Sequence, residues 1–208
     1  MSVLRVGVVA DTHCPEFLDR LPSGIARVLD GVDLILHAGD VGGPATLAEL
    51  ERIAPVEAIR GDHDPGLDLP QRRLLELGGL QVALVHGNRS HLVEEPVTLV
   101  NTLGLGLLSV RPGLFGWLHG QFPGADVVVY GHTHTPDIRR AGSTLLFNPG
   151  AVYQVNPETA RERLRRSPDW FSWSWLQVMR HRRRWPPPSV GLLEIESGTA
   201  RASIIALQ

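Results

Sequence analysis

Apolar, β-branched runs at residues 4–10, 33–38 and 56–60 alternate with helix-like stretches at about 17–30 and 44–54. Near-continuous apolar runs separated by helices are what parallel strands buried on both faces require, so the first half predicts βαβαβ and a largely parallel sheet. The second half changes character. Residues 72–77 and 80–85 flank Gly78-Gly79 and predict a hairpin. Asp126–Tyr130 is another buried strand. Arg139-Arg140 and Leu145–Phe147 flank Ala141-Gly142-Ser143 as a second hairpin, and Val190–Glu196 with Arg201–Leu207 around Ser197-Gly198 form a third. Alternation followed by hairpins predicts a mixed α/β layered domain in which parallel and antiparallel strands meet.

Two stretches are less regular. Residues 93–124 scatter Gly104, Gly106, Gly113, Gly116 and Gly120 among leucines and predict one or two short helices over the sheet. Residues 156–185 read as an inserted helical pair, since Asn156-Pro157-Glu158 and Ser167-Pro168-Asp169 each place an N-cap before a Pro at the first helical position. The second helix carries an apolar stripe of Phe171, Trp175, Val178 and Met179, and Pro186-Pro187-Pro188 stops it. With no repeat and no clear linker, residues 1–208 predict a single domain with a helical insertion at about 156–185.

Composition narrows the class. A chain of 208 residues, 43% hydrophobic and 20% charged, suits one soluble domain. The net charge of −2 does not announce a nucleic-acid partner. All twenty basic residues are Arg, which we read as genomic composition and not chemistry. One Cys, Cys14, excludes an internal disulfide framework and a Cys-rich zinc module. No apolar run approaches the roughly 18 residues of a membrane span, and no signal peptide precedes the first strand. A cytoplasmic enzyme or binding protein is the expectation.

The chemistry sits where the apolar runs end. Asp11-Thr12-His13, Gly39-Asp40, Gly61-Asp62-His63-Asp64, His86-Gly87 and Gly131-His132-Thr133-His134 follow predicted strands. Open α/β sheets gather ligand sites at the carboxyl ends of their strands. In extended chain, residues i and i+2 share a face, so Asp11 and His13 can grip one ion and His132 and His134 likewise. Asp40 can bridge two ions with its two oxygens. His and carboxylate donors without thiolate suit Mn²⁺, Fe, Zn²⁺ or Ni²⁺ better than a soft metal. His37 reads as a packed histidine, His91 and His119 as surface or helix residues, and Cys14 as a buried small residue.

In this order, D-x-H, GD, G-D-H-D, H-G and G-H-x-H resemble the calcineurin-like metallophosphoesterase superfamily. The short chain and Asn148-Pro149-Gly150 after GHTH resemble its compact bacterial and archaeal phosphodiesterase branch, which is similar in turn to the eukaryotic retromer subunit Vps29. The match spans residues 3–153 and the C-terminal hairpin. The resemblance implies a four-layer α/β/β/α sandwich with two mixed sheets. It implies one metal on Asp11, His13, Asp40 and His134, and a second on Asp40, Asp62, His86 and His132, with Mn²⁺ favoured. His63 would face the scissile phosphate, with Asp64 orienting it. A metal-bound hydroxide would attack phosphorus in line, without a covalent intermediate. Two positions depart from the usual pattern: Asp62 replaces an Asn, and Asn88 stands where many relatives have a second His.

The expected function is therefore a di-metal phosphoesterase acting on a small phosphate ester, with diesters favoured. A non-catalytic interaction scaffold in the manner of Vps29 is the alternative from another class, and a phosphomonoesterase or nucleotide pyrophosphatase the alternative within enzymes. Residues 161–184 carry eight Arg against Glu162 and Asp169, a local charge of +6 that leaves −8 elsewhere. Such a segment, with Trp170, Trp173, Trp175 and Trp185 in or beside it, could meet nucleic acid or an anionic surface. The favoured reading is a capping helix whose Trp side chains pack on the domain or between copies of the chain.

Overall fold

The strands that the apolar runs predict assemble into two five-stranded mixed sheets. The computed structural model describes residues 3–90, 92–93, 96–97, 99–100, 111–166, 168, 170–180 and 186–207. In the first sheet, β1 (Leu4–Val9), β2 (Leu34–His37) and β3 (Val56–Ala58) are parallel, joined through α1 (Gly24–Val28) and α2 (Pro44–Leu50). The hairpin of β9 (Ser189–Glu196) and β10 (Thr199–Ala206) extends it antiparallel, in the order β10-β9-β1-β2-β3. The second sheet runs β4-β5-β6-β8-β7. Its strands are β4 (Arg72–Leu77), β5 (Leu80–Val85), β6 (Val127–Tyr130), β7 (Asp137–Ala141) and β8 (Thr144–Asn148). Here β5, β6 and β8 are parallel, with β4 and β7 as antiparallel edges.

Side-chain alternation builds the layers. Val6, Val8, Leu36 and Ile59 from the first sheet meet Val82, Leu84, Val127, Val129 and Phe147 from the second in one fully buried core. Full burial of each such side chain contributes roughly 1.5–3 kcal/mol. On the other face of the first sheet, Val9 and Ile35 pack with Ile25, Leu29 and Leu50. Outside the second sheet, α3 (Leu114–Gln121) places His119 Nδ1 3.2 Å from Thr144 Oγ1 and Phe115 under the Arg139 guanidinium, 3.6 Å from its ring centre. The result is the expected four-layer α/β/β/α sandwich.

Helix lengths differ from the sequence reading. The predicted helix over 17–30 shrinks to α1, because the chain first turns back on itself: Phe17 N and Leu18 N both bond the His13 carbonyl, at 2.7 and 3.3 Å. That turn begins directly after the first candidate ligands.

The chain divides into two compact units. The first comprises Met1–Asn88, Phe115–Tyr153 and Pro187–Gln208, and holds both sheets. The second comprises Arg89–Leu114 and Gln154–Pro186. In the second unit, α4 (Pro157–Arg165) opens on the expected cap, with the Asn156 side chain accepting from Glu158 N and Thr159 N and Thr159 returning a bond to Asn156 N. The helix α5 (Trp170–Met179) follows. On α5 the side chains of the expected stripe at Phe171, Trp175 and Val178 are not described, and the second cap at Ser167 and Asp169, the cluster Arg182–Arg184 and His91 lie outside the described residues. Of the helices expected over 93–124, α3 is formed and 101–110 lies outside the described residues. No described helix is long and apolar enough to cross a membrane.

Candidate metal centre

Five loops carry the candidate ligands, and all leave the carboxyl ends of parallel strands. Asp11 and His13 follow β1, Asp40 follows β2, Asp62–Asp64 follow β3, His86 follows β5, and His132 and His134 follow β6. Their backbone is unusual. Asp11, His13, Asp40, His132 and His134 have φ of 52°, 47°, 55°, 64° and 50°, and Ser197 is the one further non-glycine with positive φ among the described residues. Left-handed conformation costs an L-residue of order 1–2 kcal/mol. Asp and His tolerate it better than most side chains, but five instances in one place indicate strain held by the surrounding structure for function.

Buried polar groups do the holding. Asp64 is buried, and its carboxylate accepts from three backbone N–H groups: Val41 at 3.0 Å, Gly42 at 2.8 Å and Gly61 at 2.8 Å. It thereby ties the Asp40 loop to the Asp62 loop. Thr12 Oγ1 donates to the Val41 carbonyl at 2.8 Å and lies 3.0 Å from His37 Nε2, while His37 Nδ1 accepts from Gly39 N at 3.2 Å. That pattern requires a neutral His37 with its proton on Nε2, and burial holds its pKa down to about 4. Asn148 Nδ2 donates to the Gly131 carbonyl at 2.8 Å and its Oδ1 accepts from Gly150 N at 2.9 Å, which fixes the GHTH turn. At Gly61 a Cβ would stand 2.1 Å from Asp40 Oδ1, so only glycine lets the two loops approach.

The side chains converge in four groups whose donor atoms lie within 4.8 Å of one another: Asp11, His13 and His134; His13, Glu16 and His63; Asp62, His86 and His132; Asp11, Asp40 and His86. Asp40 joins them. Its Oδ1 accepts from His63 N at 2.9 Å, and its Oδ2 lies 3.5 Å from His13 Nε2 and 3.3 Å from His86 Nε2. His86 Nδ1 is 2.8 Å from the Ala38 carbonyl and must donate to it, which turns Nε2 inward. Asp11 Oδ1 accepts from His132 N at 3.1 Å. Among the described residues two buried side-chain atoms make no hydrogen bond, Asp11 Oδ2 and His86 Nε2; both belong to these groups, and the second faces Asp40 Oδ2 as an ion pair. A buried orphan is costly unless something else satisfies it. A buried carboxylate oxygen without a partner, set among further carboxylate and imidazole groups, fits a divalent cation.

The electrostatics without metal match. Burial pushes the Asp11 carboxyl well above its usual range, and Asp40 beside it adds to the effect. Burial would also raise Asp40, but His86 and His13 hold it below the carboxylate range. Burial works against a charged His86, yet Asp40 outweighs it and lifts the ring to about 10. Burial and the neighbouring His13 lower His134 to about 3. Negative charge is thus crowded enough to retain protons that cations would replace.

Two sequence expectations are corrected. His132 and His134 do not share a face: they fall into different groups, because left-handed residues reverse the side-chain direction that extended chain would repeat. Asp64 makes no contact with the His63 ring among the described hydrogen bonds, its oxygens being taken by backbone N–H groups. His63 Nδ1 instead lies 3.0 Å from Glu16 Oε1, and Glu16 Oε2 lies 3.3 Å from His13 Nδ1. Glu16 escaped the sequence reading. Its one signal is a carboxylate three residues past a ligand, at the start of a turn. His37 and Cys14 are buried as expected, and His119 bonds Thr144. The two departures meet: Asn88 Nδ2 donates to Asp62 Oδ1, and Asp62 Oδ2 lies 3.4 Å from His132 Nδ1.

Comparison with known proteins gives the family and the fold. The chain is 36% identical over 150 residues to a probable metallophosphoesterase of Methanothermobacter thermautotrophicus, covering 71% of this chain and 77% of the relative. It is 23% identical over 167 residues to a phosphodiesterase of Methanocaldococcus jannaschii, covering 71% and 83%. In fold it is similar to wild-type Vps29 of Entamoeba histolytica, solved in complex with zinc, with a TM-score of 0.62 at 18% identity over 97% of this chain and 98% of that one. The family model for the calcineurin-like phosphoesterase superfamily domain matches residues 4–164, and with the relatives and the shared two-sheet fold it places the chain in that superfamily.

Proposed function

We propose that this chain is a two-metal phosphoesterase, Mn²⁺ favoured, that hydrolyses a small phosphodiester in preference to a monoester. The observation that carries the proposal is the buried Asp11 Oδ2, which lacks a hydrogen-bond partner and stands in one donor cluster with Asp40 and His86. Asp11, His13, Asp40 and His134 would hold one ion; Asp40, Asp62, His86 and His132 would hold the other. Asp40 is the natural shared ligand, because its Oδ2 stands between His13 and His86, one from each set. Two divalent ions would lower the pKa of a bound water toward neutrality and offset charge on the phosphoryl group.

The protein residues orient and protonate. With Nδ1 held by Glu16, His63 would present Nε2 to the leaving ester oxygen, and in its doubly protonated form it would give the Nε2 proton there and keep the one on Nδ1. Charge bears on the diester preference. Asp11, Asp40 and Asp62 would set three negative charges against four positive ones, and a low net charge of +1 gives a doubly charged monoester less electrostatic advantage over a singly charged diester than a more cationic centre would. The relative named as a phosphodiesterase supports the same preference. The test compares bis(p-nitrophenyl) phosphate with p-nitrophenyl phosphate at saturating Mn²⁺. The expected result is at least tenfold higher kcat/KM for the diester, abolished by chelator. A reversed preference would make the chain a monoesterase. No turnover of either ester by metal-loaded protein would favour the scaffold reading.

A further inference from the structure

We infer that Glu16 is a positioning residue that sets the tautomers of a metal ligand and of the proton donor with one carboxylate. The inference rests on the two-metal reading above and adds a residue to it. Glu16 Oε2 lies 3.3 Å from His13 Nδ1 and Oε1 lies 3.0 Å from His63 Nδ1. The two imidazoles meet edge to face, ring centres 4.7 Å apart, so they share one small space above the carboxylate. An ionised carboxylate only accepts hydrogen bonds. Each ring must therefore place a proton on Nδ1.

The consequence differs for the two rings. In His13 it leaves Nε2, the atom 3.5 Å from Asp40 Oδ2, as the atom free to ligate. A carboxylate behind a ligating histidine fixes its orientation and raises its basicity. In His63 it leaves Nε2 as the outward atom. The arrangement comes from the short turn after His13, which brings residue 16 back beside the ring of residue 13. Glutamine cannot substitute, because an amide offers one acceptor and one donor side. It would satisfy one ring and force the other to carry its proton on Nε2.

The test uses ¹⁵N-histidine NMR on the full chain, metal-free and loaded with diamagnetic Zn²⁺, with chelator competition to measure metal affinity. Wild type is expected to show His13 and His63 each protonated on Nδ1. Glu16→Ala should leave His63 as a tautomer mixture and weaken metal binding about tenfold, within the 10–100-fold range for partners of ligating groups. Glu16→Gln should move one ring to the other tautomer, and Glu16→Asp should restore part of both signals. Thermal midpoints check that the variants fold. Unchanged tautomers with metal affinity within twofold of wild type would overturn the inference. If wild type binds no metal, the two-metal reading fails, while the metal-free His63 tautomer still decides whether Glu16 sets it.

Discussion

His86 Nε2 lies 3.3 Å from Asp40 Oδ2, and the Ala38 carbonyl, 2.8 Å from Nδ1, fixes which ring nitrogen faces that carboxylate. Without metal, Asp40 lifts the His86 pKa to about 10, so the ring is protonated at neutral pH. A ligating imidazole must be neutral, and binding must expel that proton. Titration calorimetry in buffers of different ionisation enthalpy at pH 7.5 should report release of one or more protons per chain on Mn²⁺ binding. Affinity should rise with pH. Binding without proton release would contradict the assignment of His86.

His37 should set part of the acid limit of stability. Its folded pKa is depressed to about 4, against 6.5 for an unperturbed histidine. The unfolded chain therefore binds a proton that the folded chain refuses between these values, and stability falls as pH drops from 6.5 toward 4. The full shift corresponds to roughly 3 kcal/mol. Denaturant titrations of wild type and His37→Gln in EDTA should converge as pH falls through this window, wild type losing more. Parallel curves would show that His37 is not held neutral.

Asp64→Ala should be severely destabilising. It strips the acceptor from three backbone N–H groups, of Val41, Gly42 and Gly61. A buried orphaned donor costs about 1–3 kcal/mol, so the loss should exceed roughly 3 kcal/mol in urea unfolding. Asp64→Asn, which keeps one acceptor oxygen, should fall between. A loss below about 1 kcal/mol for the alanine variant would show that these bonds do not hold the two loops together.

The sheets were legible because their strands are buried on both faces. Val127–Tyr130 is buried at every position and reads as an unbroken apolar run. Likewise, five polar clusters after strands marked the site's loops. What the residues alone did not carry was backbone direction. Left-handed φ at His132 and His134 is invisible in a rule built for extended chain, so their division between two groups came only through the family resemblance. Asp64 and Glu16 illustrate the other limit. Both are carboxylates near ligands, and only the folded turn decides that one serves backbone N–H groups and the other serves two imidazoles.

Asp62→Asn should loosen metal yet speed turnover. Asp62 adds a negative charge to the centre and spends Oδ1 on Asn88, leaving Oδ2 near His132. Removing the charge raises the site from a formal +1 to +2, which strengthens attraction for an anionic substrate and lowers the pKa of activated water. A pH–rate profile at saturating Mn²⁺ should shift to lower pH with a higher plateau, alongside weaker retention of one ion. A variant no faster at any pH, with unchanged metal affinity, would mean that Asp62 is not a charged ligand.

The central claim is that these loops hold two ions on a shared Asp40. Anomalous scattering at the manganese edge, from crystals soaked at neutral pH, tests it most directly. The account predicts two peaks about 3.5–4 Å apart, as in other two-metal sites, one beside His13 and His134 and one beside His86 and His132. A single peak, or none at saturating Mn²⁺, would contradict it.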